Sequence, residues 1–126
     1  MEKEIIITQN APAPIGPYNQ AVIAGKMLFI SGQIALVPNT DRLINSSIAE
    51  ETEQVMKNLQ SILKASGADF ENVVKTTIFL SGMEHFAVVN EVYGKYFAGG
   101  FPARETVAVQ GLPRNVNVEI SMIASL

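Results

Sequence analysis

The sequence contains no cysteine and no tryptophan, and it has one histidine and only nine lysines and arginines against twelve acids. Without cysteine there is no disulfide framework, no thiolate nucleophile and no cysteine-zinc site. One histidine is too few for an imidazole-rich metal centre. A formal net charge of -3 repels phosphate backbones on balance, which argues against nucleic acid as a partner. Long apolar runs are also missing, and none approaches the length that crosses a bilayer. The stretch from Met1 to Thr8 is too short in its apolar part and too acidic in its flanks for a secretory signal. A cytoplasmic protein without membrane contact is therefore expected.

What is present is apolar material, 48% of 126 residues, enough for a chain of this length to bury roughly two-thirds of the surface exposed on unfolding. No glycine-serine or charge-rich tract divides the chain, so residues 1–126 read as one domain. A β-branched run from Glu4 to Thr8 ends in a proline-rich loop, Gln9 to Pro17. Ala21 to Ala24 and Met27 to Ser31 flank Gly25-Lys26, a hairpin pattern, and Pro38 to Asp41 reads as a turn before a brief Leu43-Ile44 strand. Ser47 with Glu50 three residues on is a capping-box pattern, followed by Val55, Met56, Leu59, Ile62 and Leu63 at helical spacing until Gly67. Val73 to Leu80 is a buried strand by composition. A second helix is expected over Met83 to Phe97, ended by Gly99-Gly100 and Pro102, and strands over Arg104 to Gln110 and Val116 to Ser125.

Strands, helix, strand, helix, strands make an α+β arrangement of a mixed sheet with two helices packed on one face, because each strand-to-parallel-strand crossover has one favoured hand. The other face then stays bare and apolar, which predicts a homo-oligomer.

Strand alternation puts Arg104, Thr106 and Ala108 on one side of their strand and Glu105, Val107 and Val109 on the other. Arg104, turned away from its neighbouring acid, is either an anchor for a substrate carboxylate or a strand-end arginine paired with a surface acid. Glu119, between Val118 and Ile120, is either a carboxylate with a chemical task or the solvent side of an amphipathic strand. Tyr18 follows the rigid Pro17, so its phenol is either held in place by a stiff loop or simply packs. Asn90, amid Ala87, Val88, Val89 and Val92, either faces water or meets a ligand.

Taken together, Gly16-Pro17-Tyr18-Asn19-Gln20-Ala21-Val22, Phe29-Ile30-Ser31-Gly32-Gln33-Ile34, Val73 to Phe79, Asn90-Glu91-Val92-Tyr93 and Phe101-Pro102-Ala103-Arg104 resemble the RidA (YjgF) family of reactive-intermediate deaminases over nearly the whole chain. The resemblance implies a chorismate-mutase-like fold and a homotrimer with clefts between subunits. It also implies 2-iminobutanoate/2-iminopropanoate deaminase activity without a cofactor: hydrolysis of imines and enamines such as 2-aminoacrylate to 2-keto acids and ammonia. By the same resemblance Arg104 binds the substrate carboxylate, Glu119 positions the water, Tyr18 lines the cleft, and Ser31, Asn90 and Thr106 contact substrate. The chain departs from the family pattern at Glu105 and Thr106, where members often carry serine and then cysteine, and at Asn19. Two rival functions remain from other classes: non-catalytic binding of a keto acid or amino acid, and RNA-directed inhibition of translation, which the acidic balance disfavours.

Overall fold

The computed structural model of the chain describes residues 2–126. Six strands form one mixed sheet: β1 (Glu4–Ile6), β2 (Ala21–Ala24), β3 (Met27–Gln33), β4 (Val73–Leu80), β5 (Ala103–Ala108) and β6 (Val118–Ser125), in the order β1-β2-β3-β6-β4-β5. All neighbours are antiparallel except β4 and β5. Helix α1 (Ile48–Ala65) links β3 to β4, and α2 (Phe86–Gly94) links β4 to β5. The α+β mixed sheet expected from the sequence is the architecture found.

The local signals explain most of these elements. Gly25 takes φ 62° in the β2-β3 turn, a conformation that strains residues with a Cβ. The Ser47 hydroxyl accepts from the Glu50 amide at 3.1 Å and caps α1. The reciprocal half of the capping box is absent, because the Glu50 carboxylate accepts from the Ser46 hydroxyl instead. Gly67, at φ 76°, follows the last turn, and the Ala68 amide returns to the Leu63 carbonyl at 2.9 Å.

Val55, Met56, Leu59, Ile62 and Leu63 of α1 pack with Val89 and Tyr93 of α2 over Leu28, Ile30, Ile78, Leu80, Ile120 and Met122. The opposite face carries no helix. It exposes Phe29, Val74 and Val107 beside half-buried Val22 and Ile123, with Phe29 directly across from Val22 and Ile123.

Several boundaries differ from the sequence reading: β1 ends at Ile6 rather than Thr8, and β3 runs on to Gln33 rather than stopping at Ser31. The second helix is shorter than Met83 to Phe97: Met83–His85 is a 3-10 turn and α2 ends at Gly94. Tightened bonds from Tyr96 N–H to the Tyr93 carbonyl and from Phe97 N–H to the Gly94 carbonyl then carry the chain away, well before Gly99 and Pro102. Leu43 forms only a single bridge with Leu36. β5 stops at Ala108, where pairing with β4 ends at Leu80. β6 starts at Val118, because Pro113–Asn115 forms a 3-10 turn with Arg114 and Asn115 left-handed. Among the described residues no helix is long and apolar enough to cross a membrane.

Candidate active site

The six residues singled out in the sequence fall into two groups on opposite faces of the sheet. In β6, Val118, Ile120 and Met122 are buried toward the helices, so Glu119 projects to the helix-free face, beside Phe79 of β4. In β5, Arg104 pairs with buried Thr76 and Thr106 with buried Ile78, so both project to the helix side. Glu105 takes the open face, as its register requires, where it accepts from Thr77 Oγ1 at 2.6 Å and pairs with Lys75 at 3.1 Å. Those partners lower the Glu105 pKa, the Thr77 hydrogen bond most, and keep the acid away from Arg104.

Glu119 stands in a cavity of about 480 Å³ whose walls also include Tyr18, Ser31, Gly32, Pro113 and Arg114. Ile15, Ile34, Leu36 and prolines make the rest largely apolar. The strand β3 carries one extra residue between Ile30 and Gln33, a bulge that breaks regular pairing and sets Gly32 against the Glu119 side chain. Burial pushes the Glu119 carboxyl above its usual 4.5. The flanking Val118 and Ile120 are buried toward the other face. Ser31, which lines the cavity, donates to the Asn19 carbonyl at 2.6 Å, so its hydroxyl proton is already committed. The Tyr18 phenol, half-exposed, accepts a long 3.4 Å bond from the Ile15 amide, so it is tethered by its own loop.

The second cleft, about 260 Å³, is lined by Asn90, Tyr93, Gly94, Phe101, Pro102 and Arg104. The guanidinium carbon of Arg104 lies 5.1 Å from the centre of the Tyr93 ring and 5.7 Å from that of Phe86. Burial raises the Tyr93 phenol pKa, against the opposing pull of its hydrogen bond with Thr76 and of the Arg104 charge. Thr106 has a buried hydroxyl oxygen without a partner. One protomer therefore brings Tyr18, Ser31 and Glu119 together, and separately Asn90 and Arg104, but does not bring the two sets to one point.

Three buried polar residues that the sequence reading passed over hold the walls of the larger cavity. Gln20 accepts from the Thr8 amide and donates to the carbonyls of Thr8, Ala11 and Pro12, which fixes the proline-rich loop. Asn58 of α1 donates to the Ile34 and Leu36 carbonyls at 3.0 and 2.9 Å. Glu51, fully buried, accepts from the Asn117 and Val118 amides at 2.7 and 3.0 Å and from the Asn117 side chain at 3.0 Å, just ahead of Glu119. A signal existed for two of them: Glu51 and Asn58 lie on the same face of α1 as Val55, Leu59 and Ile62, and a polar group there must find partners.

The family model described as endoribonuclease L-PSP matches residues 8–126. The mouse protein named 2-iminobutanoate/2-iminopropanoate deaminase is 49% identical over 122 residues, covering 97% of this chain and 90% of its own. Reactive Intermediate Deaminase A, chloroplastic, of Arabidopsis thaliana is 48% identical over 126 residues, covering 100% of this chain and 67% of its own. The crystal structure of Escherichia coli TdcF with bound serine superposes with a TM-score of 0.93 at 36% identity, covering 98% of both chains. The match over residues 8–126, together with these identities and this superposition, places the chain in the RidA (YjgF) family, whose model bears the description endoribonuclease L-PSP.

Proposed function

We propose that the protein is an imine deaminase, hydrolysing 2-iminopropanoate, 2-iminobutanoate and their enamine tautomers to 2-keto acids and ammonia, at sites completed between protomers of a homotrimer. The observation that carries this reading is the sorting of the side chains into two half-sites. A cation without an acidic partner among the described residues sits in one cleft, and a carboxylate of raised pKa sits in an apolar-walled cavity on the opposite face. A small imino acid needs both at once, so the second half comes from a neighbouring copy, and the bare apolar face supplies the contact area. The names of the mouse and Arabidopsis relatives support the reaction class.

In this mechanism Arg104 of one protomer grips the substrate carboxylate with its planar fork, and Asn90 and Thr106 border the same end. Glu119 of the next protomer orients a water toward the C=N carbon. As the oxygen bonds to the carbon of the protonated imine, Glu119 takes a proton from the water, leaving a neutral carbinolamine. Glu119 then passes that proton to the amine nitrogen. The carbinolamine hydroxyl gives its proton to Glu119 as the C–N bond breaks and ammonia leaves with the keto acid behind it, and the departing ammonia takes that proton as ammonium, which restores the Glu119 carboxylate. A raised pKa brings the carboxyl closer to working pH, which suits both halves of this exchange, and such proton transfer typically contributes about 10²- to 10⁴-fold. Free imines already hydrolyse in water, so placement adds most of the remainder. Tyr18 and Ser31 border the water.

Complementation tests the composite site. Arg104→Ala and Glu119→Gln proteins are each expected to be inactive in a keto-acid release assay with imine generated in situ. Co-assembled in equal amounts, they should regain about a quarter of the wild-type sites by random mixing. A mixture as inactive as its components sinks the shared site.

A binding-only role has one observation in its favour, the serine held by TdcF. Keto-acid binding without any acceleration of imine loss would select that reading instead. The cytoplasm is the proposed location.

A further inference from the structure

We propose that Phe86 and Tyr93 of α2 form an aromatic cradle that orients the Arg104 guanidinium, which makes both rings positioning residues for the carboxylate anchor. The inference rests on the reading of Arg104 as that anchor. A lone arginine on an edge strand is a flexible side chain, and something must restrict it if its fork is to meet a carboxylate in one geometry. An acid would do so only by occupying the donors that the substrate needs. The one ion pair among the described residues joins Lys75 to Glu105 and leaves Arg104 out. Two aromatic rings stand there instead, at 5.1 and 5.7 Å from the guanidinium carbon. A ring attracts the cation through its electron-rich face and takes none of its N–H groups.

One helix supplies both rings of this cradle, and the edge strand beside it supplies the arginine. Phe86 and Tyr93 are seven residues apart, two turns of one helix, and so share a face. Tyr93 is itself fixed: it is buried, and its hydroxyl donates to Thr76 Oγ1 at 3.0 Å. Thr76 is the residue that pairs with Arg104 across β4 and β5, so ring and guanidinium are referenced to the same rung of the sheet. Phe86 closes the arrangement from the first turn of α2 and is 37% exposed, so it can be altered without opening the core. Asn90, between the two rings along the helix, lines the same cleft.

The test is steady-state kinetics on the intact protein with 2-iminopropanoate generated in situ, comparing wild type, Phe86→Leu, Phe86→Trp and Arg104→Ala. Leucine keeps the apolar bulk but lacks the ring. The expected result is a rise of about 3- to 10-fold in KM for Phe86→Leu, falling on KM rather than kcat, with recovery in Phe86→Trp. If Arg104→Ala raises KM and Phe86→Leu does not, the cradle is wrong while the anchor stands. A kcat loss in Phe86→Leu that tryptophan does not rescue also overturns it, since a merely structural residue behaves that way. If Arg104→Ala itself leaves KM unchanged, the anchor reading fails and the cradle has nothing to orient.

Discussion

Gly32 lies so close beneath Glu119 that a Cβ on residue 32 would overlap the carboxylate. The extra residue in β3 between Ile30 and Gln33 creates this approach, and the absence of a side chain at position 32 gives the acid its place in the cavity. Gly32→Ala should therefore displace Glu119 rather than unfold the sheet. We expect imine turnover to fall by about 10²-fold or more, the scale of a lost proton-transfer group. Overpacking costs about 1 to 3 kcal/mol, so thermal melting should still show a cooperative transition. Near-normal turnover in a folded Gly32→Ala protein would remove the importance of the contact.

The pH dependence follows from the direction of the Glu119 shift. Its folded-state pKa is raised above 4.5 by burial, so the folded protein binds its proton more tightly than the unfolded chain does. The associated stability is fully present below 4.5 and is lost as pH rises through the higher folded value. Activity should show the opposite trend, rising through that same window as the carboxylate proposed as general base ionises. Glu119→Gln should abolish the rise in activity and should be at least as stable as wild type at neutral pH. Urea midpoints and kcat/KM measured between pH 4 and 8, roughly, would check both.

Glu51 is the next candidate for substitution. Its buried carboxylate satisfies two backbone amides and one side-chain amide at the entry to β6. Glu51→Ala leaves those donors without partners at about 1 to 3 kcal/mol each, so a loss of about 3 kcal/mol or more is expected from denaturant titration. Glu51→Gln keeps one acceptor oxygen and should lose clearly less.

The helix-free face supplies a further prediction. Phe29, 45% exposed and opposite both Val22 and Ile123, is near the middle of an apolar surface. Placing an aspartate there should dissociate the assembly to monomers in sedimentation velocity and abolish turnover, because each half-site is then left alone. A monomeric Phe29→Asp protein with full activity would show that one protomer suffices.

Much of the fold was legible in the sequence. The Ser47 cap, the Gly67 stop and the Gly25-Lys26 turn all act within a few residues, so local chemistry sets them. The second helix was overextended because its apolar stripe continues to Phe97. Tyr93, Phe97 and Phe70 form an aromatic cluster that needs those rings on one side but does not need helix beneath all of them. Periodicity alone does not separate the two cases.

The candidate site was legible as a set of residues but not as a place. Alternation along a single strand sends Glu105 away from Arg104, and pairing with β4 keeps it so. Which face of the sheet Arg104 and Glu119 each take depends on register across β5, β4 and β6, together with the side on which the helices pack. Those choices are made by burial of residues far apart in the chain, such as Ile78, Ile120 and Leu59. Residue order thus settled the elements and their chemistry, because propensity and turn geometry are short-ranged. The separation of the candidate residues into two clefts, the clamps at Gln20, Glu51 and Asn58, and the rings around Arg104 were decided only by tertiary packing, since each depends on contacts that no local window contains.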